Sequence, residues 1–329
     1  MVSVIIPVYQ VSDYVERCVR SVMAQDYNDI ECIIVDDATQ DDSIAKCEQL
    51  IAAYDGPIRF RILHHDHNRG LSAARNTGTE AATGDYVYYL DSDDYISPNS
   101  VGTLVSVVRD DPSIEMVQGN CIMTCDGKKN RLYGLGLPTR TSNNVETRKE
   151  FFENRNIYIS VWNRLLKKSF IEEFQLYCRE GVVFEDLLWV FYLMKHLKNA
   201  YLCEEVTYYY CIRPVSIITN AKPETITSYV VIFEEIFHHL TEGREQEELK
   251  GLLYYFIKRY VSFVKIVPAF KDTISLYKTK AKQFNCWYVY FVLFVTGTVG
   301  RIGKPSAFLE WLNALRWRIK DLNSAVWKQ

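Results

Sequence analysis

Residues 2–8, VSVIIPV, form an apolar, β-branched run of strand length. From Val11 the apolar positions change spacing to Val15, Cys18, Val19, Val22 and Met23, one face of a helix, with Asp13 predicted as its N-cap and Glu16 three residues on. The same pair of patterns then recurs. IECIIV (30–35) reads as a strand, and after the polar DDATQDDS the positions Ile44, Cys47, Leu50 and Ile51 take a helical period. RFRIL (59–63) predicts a strand, LSAARNTGTEAA (71–82) a helix and YVYYL (86–90) another strand. Strands alternating with helices of about a dozen residues predict right-handed βαβ units and a mainly parallel sheet flanked by helices, an α/β fold. In such sheets ligands bind beyond the carboxyl ends of the strands. That rule gathers Pro7, Val8 and Tyr9, Asp36 with Asp37, and Asp91 to Asp94 on one rim.

Past residue 100 the alternation weakens. IEMVQGN (114–120) predicts a strand, GKKNRLYGLGLPTRTSNN (127–144) a loop, and 145–213 a mixture of helices with the short strand VTYYY (206–210). From Thr225 onward the pattern is mostly helical. Residues 283–300 carry no charge, and Thr296, Gly297, Thr298 and Gly300 dilute a stretch at the lower edge of membrane-spanning length. Behind it Phe308, Trp311, Leu312, Leu315 and Ile319 stand at helical spacing among Arg316, Arg318 and Lys320, a pattern shared by helices that lie on anionic lipid and by amphipathic helices packed on their own domain.

Charge sharpens that division. The 329 residues carry a net charge of −3, yet from Lys258 onward the sequence holds thirteen Lys and Arg against three Asp and Glu, a local +10 that leaves −13 for the rest. A peripheral membrane contact through 283–329 is one expectation, a buried helix the other, and nothing calls for nucleic acid. Nine cysteines without paired spacing fit a reducing compartment, and Cys121 with Cys125 alone make no metal site. MVSVIIPVYQ has no basic leader region, so a cytoplasmic location is expected, with the inner face of the cell membrane as its margin.

The candidate chemistry lies on the rim. YLDSDDYISP crowds Asp91, Asp93 and Asp94 behind an apolar strand, where like charges raise one another's pKa unless a cation or donors hold them. A D-x-D at a strand end suits a hard divalent ion that also holds phosphates. Asp36 and Asp37 end a second strand, where a carboxylate can accept from a nucleobase N–H. NRGLSAARNTG (68–78) adds a glycine turn at Gly70, a helix N-terminus suited to anions and Arg75 as a donor. Together these describe a nucleoside diphosphate pocket. No Gly-x-Gly-x-x-Gly or Walker loop is present, which removes the main support for dinucleotide and NTPase readings.

VSVIIPVYQ, ECIIVDDATQDDS, NRGLSAARNTG, ATGDYVYYLDSDD and GVVFEDLLW resemble, in order, the successive blocks of family 2 glycosyltransferases of the GT-A fold. The resemblance covers roughly residues 1–215. It implies inverting transfer from a nucleotide sugar, usually a UDP-sugar, with Mn2+ or Mg2+, to a hydroxyl of a saccharide or lipid-linked saccharide acceptor in surface polysaccharide synthesis. It also implies a glycosyltransferase domain over 1–215, with 1–100 binding the donor and 101–215 on the acceptor side; the last hundred residues match no block, and their own pattern predicts a mostly helical region over 216–329. Position by position, Pro7, Val8 and Tyr9 line the uridine site. Asp37 is the choice for the uracil contact, with Asp36 the alternative, and Arg75 serves the nucleotide. Asp91, with Ser92 beside it, falls to the ribose or metal shell, and Asp93 to the metal itself. Asp94 is a supporting partner or an N-cap. The ED block, with Gly181 ahead of it, supplies the general base: Asp186, with Glu185 the fallback. An acidic helix N-terminus countering the macrodipole is the plain alternative for that pair.

VWNRLLKKSF (161–170) also resembles a family block, which puts Trp162 and Asn163 beside the sugar or acceptor. Arg213 falls near a Tyr-Arg element of the family, with Cys211 and Ile212 intervening. His64, His65 and His67 lack ordered ligand spacing and read as solvated polar residues. Two other readings stand beside the transferase: a non-catalytic relative that binds nucleotide or glycan, and a nucleotidyltransferase. The latter needs a Gly-rich basic loop after the first strand, which VYQVSDY does not offer.

Overall fold

The computed structural model describes residues 1–125, 128–133, 138–151 and 157–212, and positions 228, 231, 232, 235 and 236. All belong to one compact unit, residues 1–240 with 247–249. Arg213, the uncharged stretch 283–300 and the expected helical C-terminal region as a whole lie outside the described residues.

The first ninety residues build four parallel strands and their crossover helices: β1 (Val2–Val8), α1 (Val15–Met23), β2 (Ile30–Asp36), α2 (Ser43–Ala52), β3 (Arg59–His64), α3 (Leu71–Ala81) and β4 (Tyr86–Tyr89). Their spatial order is β3-β2-β1-β4, with Val8 opposite Asp36, Asp36 opposite His64 and Ile5 opposite Tyr89. β1 is buried along its whole length because both faces are covered, which is why it reads as a continuous apolar run. Val4, Ile6 and Val8 pack with the α1 and α2 faces, while Ile5 meets α3. That approach is close enough for a Cβ at Gly78 to collide with Ile5 Cγ2, so glycine is required there.

The second half comprises β5 (Tyr95–Ile96), α4 (Ser100–Asp110), β6 (Met116–Cys125), β7 (Lys128–Tyr133), β8 (Thr139–Ser142), α5 (Asn144–Lys149), β9 (Arg164–Lys167), α6 (Lys168–Glu173), α7 (Glu185–His196) and β10 (Asn199–Cys211). β9 runs antiparallel between β4 and β6, and β10 runs parallel to β6, so a mixed but mainly parallel sheet continues across both halves.

Three expectations change. The predicted loop 127–144 contains β7 and β8, and its end opens α5. β7 (KKNRLY) pairs with β6, and a sequence that polar and basic carries no strand pattern to announce it. VTYYY extends into the thirteen-residue β10, whose register shifts between Leu202 and Tyr208 break the alternation that marks a strand in sequence. Asp13 does not cap α1. A turn through Val11–Tyr14 puts Tyr14 at that position with no side-chain cap, while Ser12 is tied to Asp41 and Asp42 across the rim. Among the described residues no helix is long and apolar enough to cross a membrane.

Candidate active site

The strand register brings the ends of β1, β2, β3 and β4 to one rim, where the chain bends sharply: Gln10 (φ 51°) and Ala38 (φ 55°) are left-handed just past β1 and β2. Tyr9 is 41 % exposed there, and Pro7 and Val8 are buried beneath it.

The acidic pair ending β2 separates into two environments. The Asp37 side chain is only 3 % exposed, and both of its oxygens are engaged: Oδ1 accepts from Arg69 N (2.8 Å) and lies 2.7 Å from His65 Nδ1, while Oδ2 accepts from Gly70 N (2.7 Å). Gly70, at φ 90°, supplies the turn that aims those N–H groups, so the anion gathered at the head of α3 is the protein's own carboxylate. Asp36 is 14 % exposed, accepts from Thr39 N (2.9 Å) and lies 2.9 Å from His64 Nδ1. His65 is therefore not a solvated residue: its side chain is buried between Asp37 and Thr77 Oγ1.

Arg75 turns to two acids of the protein itself. It is buried, with Nη2 2.7 Å from Asp91 Oδ1 and Nη1 2.6 Å from Glu185 Oε1. Burial opposes its charge, but the carboxylates of Asp91 and Glu185 outweigh it and raise the guanidinium pKa further. Arg75 thereby joins the D-x-D turn after β4 to the first residue of α7. Of the other acids in the turn, Asp93 is half-buried and Asp94 fully buried. Asp94 accepts from Tyr208 Oη (2.7 Å) and Cys211 N (2.7 Å), and burial, then the charges of Asp93 and Asp91, push its pKa well up. It is neither an N-cap nor a rim group: it fastens the turn to β10. Ser92 is buried.

Asp186, half-buried, follows Glu185 in the first turn of α7, and its Oδ1 accepts from Leu187 N (2.9 Å). Phe184, at φ 66°, turns the chain into the helix so that Glu185 points inward. Nearby, Arg164 is fully buried on carbonyls of Tyr158 and Ser160 and on Gln118 Oε1, beneath the Trp189 ring. Burial brings its pKa down to about 9, although Tyr158 and Asp186 pull the other way.

A family model described as "Glycosyl transferase family 2" matches residues 3–174. The chain belongs to that family.

It is 30 % identical over 180 residues to the glycosyltransferase GlyA of Streptococcus pneumoniae, a match covering 52 % of this chain and 25 % of GlyA's length. Over 290 residues, 86 % of this chain and 88 % of the relative, it is 25 % identical to the GalNAc(5)-diNAcBac-PP-undecaprenol β-1,3-glucosyltransferase of Campylobacter jejuni. Among solved structures, S. aureus TarS 1–349 in complex with UDP-GlcNAc superposes with a TM-score of 0.61 at 16 % identity, over 93 % of each chain. That likeness fixes the GT-A fold. The chain is thus a glycosyltransferase by family.

In the family block around Trp162 the two candidates sit in different surroundings. Trp162 is half-buried and stacks on Tyr208 (4.5 Å between ring centroids) and Tyr210 (5.7 Å). Asn163 is fully buried in the left-handed region (φ 59°). It donates to Gly119 O (2.8 Å) and accepts from Thr207 Oγ1 (2.7 Å) and Tyr88 Oη (3.1 Å), so it borders no sugar.

The residues fit a divalent metal of the phosphate-binding kind. Among the described residues no three His, Cys, Asp or Glu side chains converge as a cage. A hard ion that keeps its waters and is held by one or two carboxylates plus phosphates needs none. Asp91 and Asp93, two positions apart in the turn after β4, are donors of that chemical kind. Two contributors escaped the sequence pattern. Asn76, next to Arg75, holds the segment leading into α7 through Cys178. Tyr208 anchors Asp94, and only the alternation within VTYYY, which turns Tyr208 and Tyr210 to one face, hints at it.

Proposed function

We propose that this family 2 glycosyltransferase transfers a sugar, with inversion, from a UDP-sugar to a hydroxyl of a saccharide or lipid-linked saccharide acceptor, using Mn2+ or Mg2+. The reading rests on Arg75, which holds the D-x-D turn and the Glu185–Asp186 block in one ion-paired unit. Two carboxylate groups with different tasks are thereby kept on one wall of the site: one for a cation and diphosphate, the other for a proton.

Asp93 and Asp91 hold the metal, which when bound neutralises the negative charge developing on the departing diphosphate. Tyr9 lies against the base, and Asp36 reads its N–H, since Asp37 is consumed in shaping the loop before α3. Asp186 accepts the acceptor's hydroxyl proton while that oxygen bonds to the anomeric carbon and the bond from that carbon to the diphosphate breaks, releasing UDP. Glu185 is held by Arg75 and keeps the first turn of α7 in place. The name of the Campylobacter relative, with its undecaprenol-linked glycan, and the UDP-GlcNAc bound by TarS support a lipid-linked acceptor and a UDP-sugar donor. The basic, aromatic residues 283–329 fit a place against the inner face of the membrane, beside such an acceptor.

UDP release by the full chain across a panel of UDP-sugars, with manganese, magnesium or chelator, tests the reading. Turnover of a donor that chelator abolishes, and that both Asp93→Ala and Asp186→Asn lose, is expected. Turnover indifferent to chelator, or Asp186→Asn at wild-type rate, overturns it.

A further inference from the structure

We infer that Asn76 is a positioning residue for the transfer step: together with Arg75 it sets the base-bearing segment 178–186 against the D-x-D turn. The inference rests on the transferase reading above.

Asn76 Nδ2 donates to Cys178 O (2.9 Å), and Cys178 N donates to Asn76 Oδ1 (2.8 Å). One carboxamide thus takes both backbone groups of a single residue, as a neighbouring strand would. Aspartate, with acceptors alone, cannot do this. The next residue back on α3, Arg75, reaches Glu185. The two side chains therefore pin the segment at 178 and at 185, with Asp186 immediately beyond the second pin.

Between the pins the backbone is under tension. Gly181 (φ 77°) and Phe184 (φ 66°) are both left-handed, and a bulky residue keeps that conformation only where its surroundings dictate it. Other contacts hold the same stretch, among them Asn76 Nδ2 to Glu180 Oε1 at 3.3 Å. Val183 N donates to Ser228 Oγ (2.9 Å), and Arg69 pairs with Glu180 at 3.5 Å on the outer side. The Cys178 thiol lies against Arg75, and burial pushes its pKa up to about 12. Releasing the Asn76 pin loosens residues 178–184 and leaves the start of α7 to the Arg75–Glu185 pair, which widens the positions open to Asp186 without disturbing the groups assigned to nucleotide and metal.

The test compares wild-type chain with Asn76→Ala and Asn76→Asp, the latter setting a carboxylate oxygen against Cys178 O. Three quantities are measured: UDP affinity with Mn2+, kcat per UDP-binding site, and backbone hydrogen exchange. The expected result is UDP affinity within about twofold of wild type, kcat lower by about 10- to 100-fold as for a catalytic group displaced by an ångström, and a shifted acidic limb of the kcat–pH profile. Exchange rises in 178–186 and not in 89–95. A merely structural residue would lower thermal stability and the number of UDP-binding sites together, leave kcat per site and the acidic limb in place, and overturn the inference. Unchanged exchange in 178–186 overturns it whatever the rates. A wild-type chain that turns over no donor sinks the transferase reading, while exchange still decides the clamp.

Discussion

Arg75 Nη1 lies 2.6 Å from Glu185 Oε1, 110 residues further along the chain, and both side chains are almost entirely buried. Asp91, whose side chain is 21 % exposed, takes the other nitrogen, so a single guanidinium serves two carboxylates. Removing it leaves both acids without a counter-charge, and breaking a buried ion pair from one side costs about 3–5 kcal/mol. Arg75→Met is expected to lose that much in urea denaturation. Because the pair fails together, Arg75→Met with Glu185→Gln should cost at least about 1 kcal/mol less than the sum of the single changes. Arg75→Lys keeps the charge but cannot fork between two acids, and falls between wild type and Arg75→Met. An additive double variant would sink the idea of a coupled unit.

The three carboxylates of YLDSDDYISP divide their work, and stability separates them from function. Asp94→Ala leaves Tyr208 Oη and Cys211 N–H buried without their acceptor, which costs about 2–3 kcal/mol. Asp93→Ala, at a half-buried position, costs less than about 1 kcal/mol but removes metal-dependent UDP binding. Thermal melts and calorimetric UDP titrations with and without Mn2+ check the contrast. Equal stability loss in both variants would contradict it.

Period and punctuation made the first half of the fold readable. β1, β2 and β4 are mainly apolar, β3 alternates apolar with polar residues, and α1 and α2 keep an apolar face, so the succession of strand and helix patterns predicts the parallel core and hence the rim. β7 and β8 escaped because a strand can be as polar as KKNRLY, which carries no strand pattern to announce it. The rim residues were readable as a set but not in their tasks. Asp37 and Arg75 carry the residue types of a ligand site, yet their partners, Gly70 N and Glu185, come from distant points of the chain that no local pattern connects. Asn163 shows the same limit from the other side: a polar residue in a functional-looking block whose left-handed backbone and four-way burial make it part of the core.

The division between Asp36 and Asp37 gives a third test. Asp36→Ala removes the more exposed carboxylate and leaves the loop before α3 intact, so KM for the UDP-sugar is expected to rise about tenfold, the worth of one charge-assisted hydrogen bond, at nearly unchanged melting temperature. Asp37→Ala strips the acceptor from Arg69 N and Gly70 N and leaves His65 facing a void, and is expected to cost about 2–3 kcal/mol of stability. Steady-state kinetics beside thermal melts discriminate. A tenfold KM effect confined to Asp37→Ala would reverse the assignment of the base contact.

At the opposite end of the sheet from the rim, Glu31 gives the fold a predictable acid limit. Its carboxylate is buried, and burial alone would raise its pKa. Hydrogen bonds from Ser3 Oγ (2.6 Å) and from the backbone and hydroxyl of Thr83, with Arg61 at 3.2 Å, outweigh that and lower it. A carboxylate whose pKa is depressed by folding contributes stability above its unfolded value of about 4.3, and loses that contribution as pH falls through the folded value. Glu31→Gln keeps an oxygen for Ser3 and Thr83 but turns an amide toward Arg61, so at pH 7 it is expected to be about 1–2 kcal/mol less stable than wild type. The gap should narrow as pH drops below about 4.3, where the unfolded chain takes up its proton first, and the contribution is gone once pH has fallen through the lowered folded value. Urea denaturation of both proteins at pH 7, 5 and 3.5 checks it. A gap that stayed constant down to pH 3.5 would mean that the charge on Glu31 contributes nothing and that shape and hydrogen bonding alone hold Ser3, Thr83 and Gly84 together.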